Sequence, residues 1–353
     1  MLTLNTQFFA TNMNTVGYTG TNGQTNAVQV ADQAKTFYSE YLIDMANPKL
    51  VHEQFGDKYP IPKNKGTSIE FRKYSPLHKA TTALTEGITP EGNKLVVNTV
   101  PGEIKQYGDF IQMTDMLDMT AIDNNVVQAT KLLGAQAGKT LDTVAREVLN
   151  TGTNVWYAPA VAGAEPTKAD KDTPAATVIA DRKALTSACK LTVDLIYRVA
   201  AFLKTNNADT IDGAFVAIVH PHVAYDLMKD PDWKDANTYV DSKNLYSGEL
   251  GRIGGVRFVE SSEAKIWNDP TNDNTPSGLA VYSTLVIGAH AYGVTEVTGG
   301  GLKHIVKQLG YGDDPLNQRS SCGWKATRAI ELLVPEYMVR IESCSSYGNV
   351  PAN

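Results

Sequence analysis

With 353 residues and 42% hydrophobic content, the chain can bury a sizeable core, and its length near the upper limit for one domain suggests two lobes. A formal net charge of -6, with both signs mixed along the chain, excludes a protein whose main task is gripping nucleic acid, because neutralising phosphates takes clustered Lys and Arg. Cys189, Cys322 and Cys344 are odd in number, widely spaced and in no CxxC arrangement, so they offer neither a disulfide framework nor a zinc site and fit a reducing cytoplasm.

The first 27 residues are rich in Asn, Thr and Gly and hold no basic residue, so the charged start of a signal peptide is missing. They carry too little apolar surface to offset the entropy of ordering, and a mobile arm is expected, with Phe8 and Phe9 as its one aromatic pair. A helix follows, with Val30, Ala31, Ala34, Phe37, Tyr38, Tyr41, Leu42 and Met45 at three- and four-residue steps, stopped by Asn47-Pro48. No apolar run is long enough to cross a bilayer.

Residues 67–74 read as a strand, with Ile69 and Phe71 alternating against Glu70 and Arg72, and residues 103–113 read as a second strand. The turn-rich stretch between them predicts a long two-stranded excursion. Such a ribbon has no core and is marginal in water by itself, so it should become ordered on another surface, such as that of a neighbouring subunit. Glu70, Arg72, Lys73, Lys79, Glu86, Glu91 and Lys94 make it a mixed-charge ribbon. Those charges are either a solvated face or the groups that set register against a neighbour.

A long helix is expected from Asn124, capped by Asp123, with Leu133, Ala137, Leu141, Val144 and Val148 on its apolar side and Asn150-Thr151-Gly152 ending it. It would span roughly 40 Å. Gly134 and Gly138 weaken it and are read as places where another backbone comes close. Residues 153–190, rich in Ala, Thr, Pro and Lys, read as an exposed insertion. An α/β pattern follows: helix 192–204, buried strand 214–220, a short helix after Pro221, and strands at 256–260 and 279–287. Strand-like runs at 302–309 and 329–341 close the chain and are expected to return to the first lobe.

No chemistry emerges from this pattern. His220-Pro221-His222 with Asp226 is the best metal candidate, but a strand end and a helix start explain it, and a third ligand is missing. Gly299-Gly300-Gly301 and Gly310-Tyr311-Gly312 match no phosphate loop and read as turns. There is no nucleophile elbow, and Asp313-Asp314 and the Asp269/Asp273 pair sit in turn-rich loops. No catalytic, cofactor-binding or metal-binding residue is assigned, and an enzyme is not expected.

The order of elements resembles the major capsid fold of tailed phages, the Hong Kong 97 type. Local phrases are similar to the family typified by coliphage N-four: Pro48-Lys49-Leu50-Val51-His52 with Phe55-Gly56, Pro60-Ile61-Pro62-Lys63-Asn64, Ile69-Glu70-Phe71-Arg72 with Leu84-Thr85-Glu86-Gly87, and Gln106-Tyr107-Gly108-Asp109. Further on come Thr114-Asp115, Gly134-Ala135-Gln136-Ala137, Gly254-Gly255-Val256-Arg257-Phe258-Val259-Glu260-Ser261, Asp314-Pro315-Leu316-Asn317-Gln318-Arg319 and Gly323-Trp324-Lys325.

That resemblance implies an α+β fold divided into an N-terminal arm (1–27), an entry helix and connection (28–56), an E-loop region (57–113) and a peripheral domain with a spine helix (114–152). It further implies an axial α/β domain (191–300) and return strands with the C-terminus (301–353), while residues 153–190 depart from it as an insertion whose role it does not settle. It implies a head protein that assembles in the host cytoplasm into hexamers and pentamers of an icosahedral virion shell around packaged double-stranded DNA. Contact with that DNA would be weak and non-specific. Phe8, Phe9, Glu70, Arg72, Lys73, Lys79, Glu86, Glu91 and Lys94 become contact candidates. A portal and a separate scaffolding protein are the implied partners, with room for a decoration protein, no membrane and no cofactor. A cross-link from an excursion lysine to Asn349 or Asn353 of another chain is a weaker addition. The alternatives are an encapsulin-like compartment shell or, from a different class, a monomeric enzyme.

Overall fold

The computed structural model describes residues 51–353 apart from 63–65, 67, 75–76, 78, 82, 84–85, 88–91, 121–124, 162–165, 169–180, 235–249 and 296–300. The expected arm and entry helix, with Phe8 and Phe9, lie outside the described residues, as do Asp123 and Glu91. The chain divides into two compact units.

The first unit contains residues 106–140 and 301–327 among those described. Here the strands Lys105–Thr114 and Lys303–Lys307 both pair with the strand Arg319–Leu332, the latter antiparallel, with Ile305 opposite Gly323. The long helix, Asn125–Leu149, contributes its first four turns to this unit and buries Ala129, Leu133 and Ala137. Gln136 ties helix to sheet, donating to Asp109 Oδ2 at 2.6 Å and accepting from Trp324 Nε1 at 3.3 Å. Met113, Leu117, Cys322, Trp324 and Ala326 complete the buried set. Gly108 has to be glycine in this arrangement, because a Cβ there would stand 2.6 Å from the backbone oxygen of Trp324.

In the second unit an eight-stranded mixed sheet has Val281–Ile287 at its centre. That strand pairs antiparallel with Phe215–Val219 on one side and Met338–Ser343 on the other. Phe215–Val219 then pairs in parallel with Val256–Glu260, and Met338–Ser343 in parallel with Val155–Tyr157. Phe215–Val219, Val281–Ile287 and Val155–Tyr157 are buried at every position because both sheet faces are covered there. Phe215, Ala217 and Val219 face the cluster containing Leu195, Ile196, Val199 and Leu203 of the helix Val193–Thr205. Val216, Ile218, Leu285 and Ile287 alternate to the opposite cluster, with Ala145, Leu149, Tyr292 and Met338. Each fully buried Leu, Ile or Val here contributes about 1.5–3 kcal/mol.

Local chemistry sets the helix starts. Thr192 caps Val193–Thr205 by accepting from Leu195 N at 3.4 Å, and Pro221 opens Pro221–Lys229 behind His220, whose Nδ1 accepts from His222 N at 3.2 Å.

The structure departs from the sequence reading in four places. Ser68–Tyr74 pairs antiparallel with Val97–Glu103, with Phe71 opposite Val100, and the 105–114 segment belongs instead to the sheet of the first unit. The ribbon therefore closes nearer its tip than residues 103–113 would allow. The run 329–341 is two strands, because Pro335 breaks the ladder in a single 3-10 turn, Pro335–Tyr337. Its second part, Met338–Ser343, lies inside the eight-stranded sheet. Finally, the stretch read as an exposed insertion begins with the buried strand Val155–Tyr157 and ends with buried Leu185 and Cys189, since Trp156 and its neighbours need cover that loop composition concealed.

Candidate assembly interface

The ribbon of Ser68–Tyr74 and Val97–Glu103 has two unlike faces. Its inner face docks near its base, where the Phe71 ring lies 3.1 Å from where a Cβ of Gly293 would be and meets Tyr59 edge-on at 5.4 Å. Lys73 reaches Glu336 at 3.3 Å, a pair exposed enough to contribute at most about 1 kcal/mol. Glu331 lies beside Gly102, and burial raises its pKa although Lys105 opposes the shift.

Beyond that base the ribbon is uncovered. Tyr74, Leu77, Leu95, Val96 and Val97 are exposed, Leu95 to 70%. Glu70, Arg72, Lys79, Glu86 and Lys94 are exposed as well, whereas Lys73 is engaged with Glu336. Apolar side chains clustered and open along one ribbon are the kind of surface that a partner covers. The first unit has an apolar surface of its own: Phe110, Leu302, Ile305, Val306, Leu309, Tyr311 and Leu316 are exposed, and all five residues of Lys303–Lys307 are open to solvent.

The groups weighed for chemistry have structural occupations. His222 Nδ1 sits 3.0 Å from Tyr282 Oη, and the ring packs at a tilt against Tyr347, centroids 4.4 Å apart. Asp226 accepts from Ser346 N at 2.7 Å and from its hydroxyl. Among the described residues no group of His, Cys, Asp or Glu could hold a metal ion. Cys344 is buried and its thiol is pushed up to about 12 by that burial and by nearby Cys189, so it stays protonated. Asp269 and Asp314 are held below the usual carboxylate range, Asp269 by the N–H groups of Thr271 and Asn272, Asp314 by Arg319 and Gln318 against its own desolvation. Gly310 and Gly312 take φ of +81° and +86°, as turn glycines do. Among the described residues no helix is long and apolar enough to cross a membrane.

Solved capsids share this fold of two compact units and a ribbon left bare. The chain is similar to the capsid of cyanophage P-SCSP1u (15% identity, TM-score 0.62, 96% of this chain and 99% of that one). It is similar to that of Ralstonia phage GP4 (13%, TM-score 0.64, 95% and 100%) and of cyanophage Pam1 (14%, TM-score 0.60, 88% and 95%). No curated protein matches the chain significantly. Residues 97–337 match the phage capsid protein family, and the chain belongs to it. It is a structural, self-assembling shell protein with an α+β fold of the Hong Kong 97 type, and not an enzyme.

Proposed function

We propose that this chain is the head protein of a tailed phage, closing as hexamers and pentamers into an icosahedral shell around packaged double-stranded DNA. The observation that carries this reading is the ribbon, whose Tyr74, Leu95, Val96 and Val97 are bare in the single chain. A neighbouring subunit is the surface that would cover them, with Glu70, Arg72, Lys79, Glu86, Glu91 and Lys94 setting register and orientation more than affinity. In this scheme the ribbon is the E-loop, residues 1–27 with Phe8 and Phe9 are an arm laid on the next copy, Asn125–Leu149 is the spine, and the eight-stranded sheet forms the axial domain. The ordered phrases quoted from the sequence support a place near the family typified by coliphage N-four.

Many modest interfaces, each about 1,200–2,000 Å², would supply the assembly energy. A net charge of -6 keeps contact with the enclosed DNA weak and non-specific. A portal, a separate scaffolding protein and a decoration protein belong to the same scheme, which runs in the host cytoplasm and ends in the virion. Deleting residues 76–92 tests it. The expected product is a folded subunit that forms no closed shell by electron microscopy, and wild-type-like particles from the deletion would overturn the ribbon's role. Double-stranded DNA inside particles made during infection is expected; protein cargo in its place would favour a compartment shell.

A further inference from the structure

The segment 345–353 lies along the second unit, mostly exposed, with Val350 packed against the core and the Tyr347 ring against His222 and Tyr225, and a series of hydrogen bonds fastens the rest. Ser345 Oγ donates to the His222 carbonyl at 2.9 Å, Ser346 binds Asp226, and the Gly348 carbonyl accepts from Tyr282 Oη at 2.9 Å. Two asparagine side chains then act as substitute peptide groups. The Asn349 amide accepts from Ala280 N at 3.0 Å and donates to the Gly278 carbonyl. Four residues on, the Asn353 amide accepts from Ile266 N at 2.9 Å and donates to the Ala264 carbonyl at 3.0 Å. Between them Asn268 Nδ2 donates to the Val350 carbonyl at 2.7 Å, and Arg146 and Lys265 converge on the main-chain oxygen of Asn353 at 3.2 and 3.0 Å.

The surface beneath is built and buried: Ala264, Ile266, Ala280 and Tyr282 are each 3% exposed or less. Ile266–Trp267 pairs with Val281–Ile287 and, among the described residues, with no other strand. Its remaining edge would be an open template for strand addition. Here that edge is satisfied by side-chain amides, so recognition depends on the identity of the residues bound and on their spacing, which ordinary strand pairing would not require.

We propose that this edge, with Gly278–Ala280 and the His222–Asp226 turn, is a docking site for an extended peptide carrying two asparagines four residues apart, and that residues 345–353 are its resident occupant. The same segment of a second copy is the competing occupant, since it presents identical groups. The site is separate from the ribbon surface and does not rest on the shell reading. Engagement of both amides also leaves Asn349 and Asn353 poorly disposed to serve as cross-link acceptors.

The test uses the full chain and a fluorescent synthetic peptide spanning residues 345–353. In the Asn349→Ala/Asn353→Ala chain the resident segment is weakened and the site is intact. Anisotropy is expected to show the peptide binding this variant at least tenfold more tightly than the unaltered chain, and a peptide lacking both asparagines binding neither. Equal binding of the two peptides by the folded variant would overturn the proposal. Should the double variant fail to fold, amide exchange in the single variant Asn349→Ala decides: excess native peptide should restore protection of the Ala280 amide, which that substitution uncovers, where the asparagine-free peptide should not. Equal protection with both peptides would count against the site.

Discussion

His52 Nδ1 lies 2.8 Å from Asp142 Oδ2, ninety residues away in sequence, and both side chains are fully buried. The other oxygen of Asp142 accepts from the backbone N–H of Val51 at 2.9 Å and of His52 at 2.8 Å. One carboxylate thus fastens the segment before the ribbon to the last turns of the long helix. Among the described residues His52 Nε2 is buried without a hydrogen-bond partner, so the imidazole depends on Asp142 for its only side-chain bond. Asp142→Ala strands three donors at once and should destabilise the subunit by about 3–5 kcal/mol. Urea unfolding followed by tryptophan fluorescence measures this, and a loss below about 1 kcal/mol would contradict the account.

A second expectation concerns acid. Burial, reinforced by His222, lowers the His220 pKa from 6.5 to about 4. Its Nδ1 must stay unprotonated to cap His222 N. Between those two values the unfolded chain takes up a proton that the folded chain refuses, so stability is intact above pH 6.5 and declines as pH falls toward about 4. Asparagine also caps helices but does not titrate. His220→Asn should therefore flatten the stability profile across that window while leaving stability near pH 8 little changed. An unaltered slope would show that other groups govern the acid response.

Gly56 carries a third prediction. A Cβ there would fall 2.4 Å from the Tyr292 ring, and that ring is fully buried with its hydroxyl donating to the His52 carbonyl at 2.6 Å. It has nowhere to retreat. Gly56→Ala should cost about 1–3 kcal/mol, read as a lowered midpoint in thermal unfolding. A midpoint equal to that of the unaltered chain would mean that the backbone at 56 yields.

What could be read from sequence divides by range. Val256–Glu260 and the helix after Pro221 carry their own signals in apolar runs, a capping residue and a proline, and the structure places them where those signals do. Register carries no such local mark. Phe71 opposite Val100, the seating of Lys105–Thr114 against Arg319–Leu332, and Met338–Ser343 alongside Val155–Tyr157 all depend on partners far away in the chain. The charged ribbon residues were legible as candidates because alternation exposes them, whereas the docking of Phe71 over Gly293 was invisible until the fold brought the two together. Asn349 and Asn353 gave no periodic signal because their amides pair with backbone by individual geometry.

Two glycines of the first unit separate folding from assembly. Gly108 faces backbone: a Cβ would press against the Trp324 oxygen at 2.6 Å, and neither strand can yield without breaking its ladder. Gly108→Ala should cost the subunit about 1–3 kcal/mol. Gly134, expected from sequence to meet another backbone, has no described atom within 4 Å of its missing Cβ. Inside a helix, alanine there should stabilise the lone subunit by up to about 1 kcal/mol. Within the proposed shell, the reason for keeping glycine would be a neighbouring chain, so the same substitution should lower the yield of closed particles even as it raises the melting temperature. Both are read from one preparation, by calorimetry of the subunit and by counting particles in electron micrographs. A stabilised subunit that assembles at full yield would show that no neighbour approaches the helix at that turn.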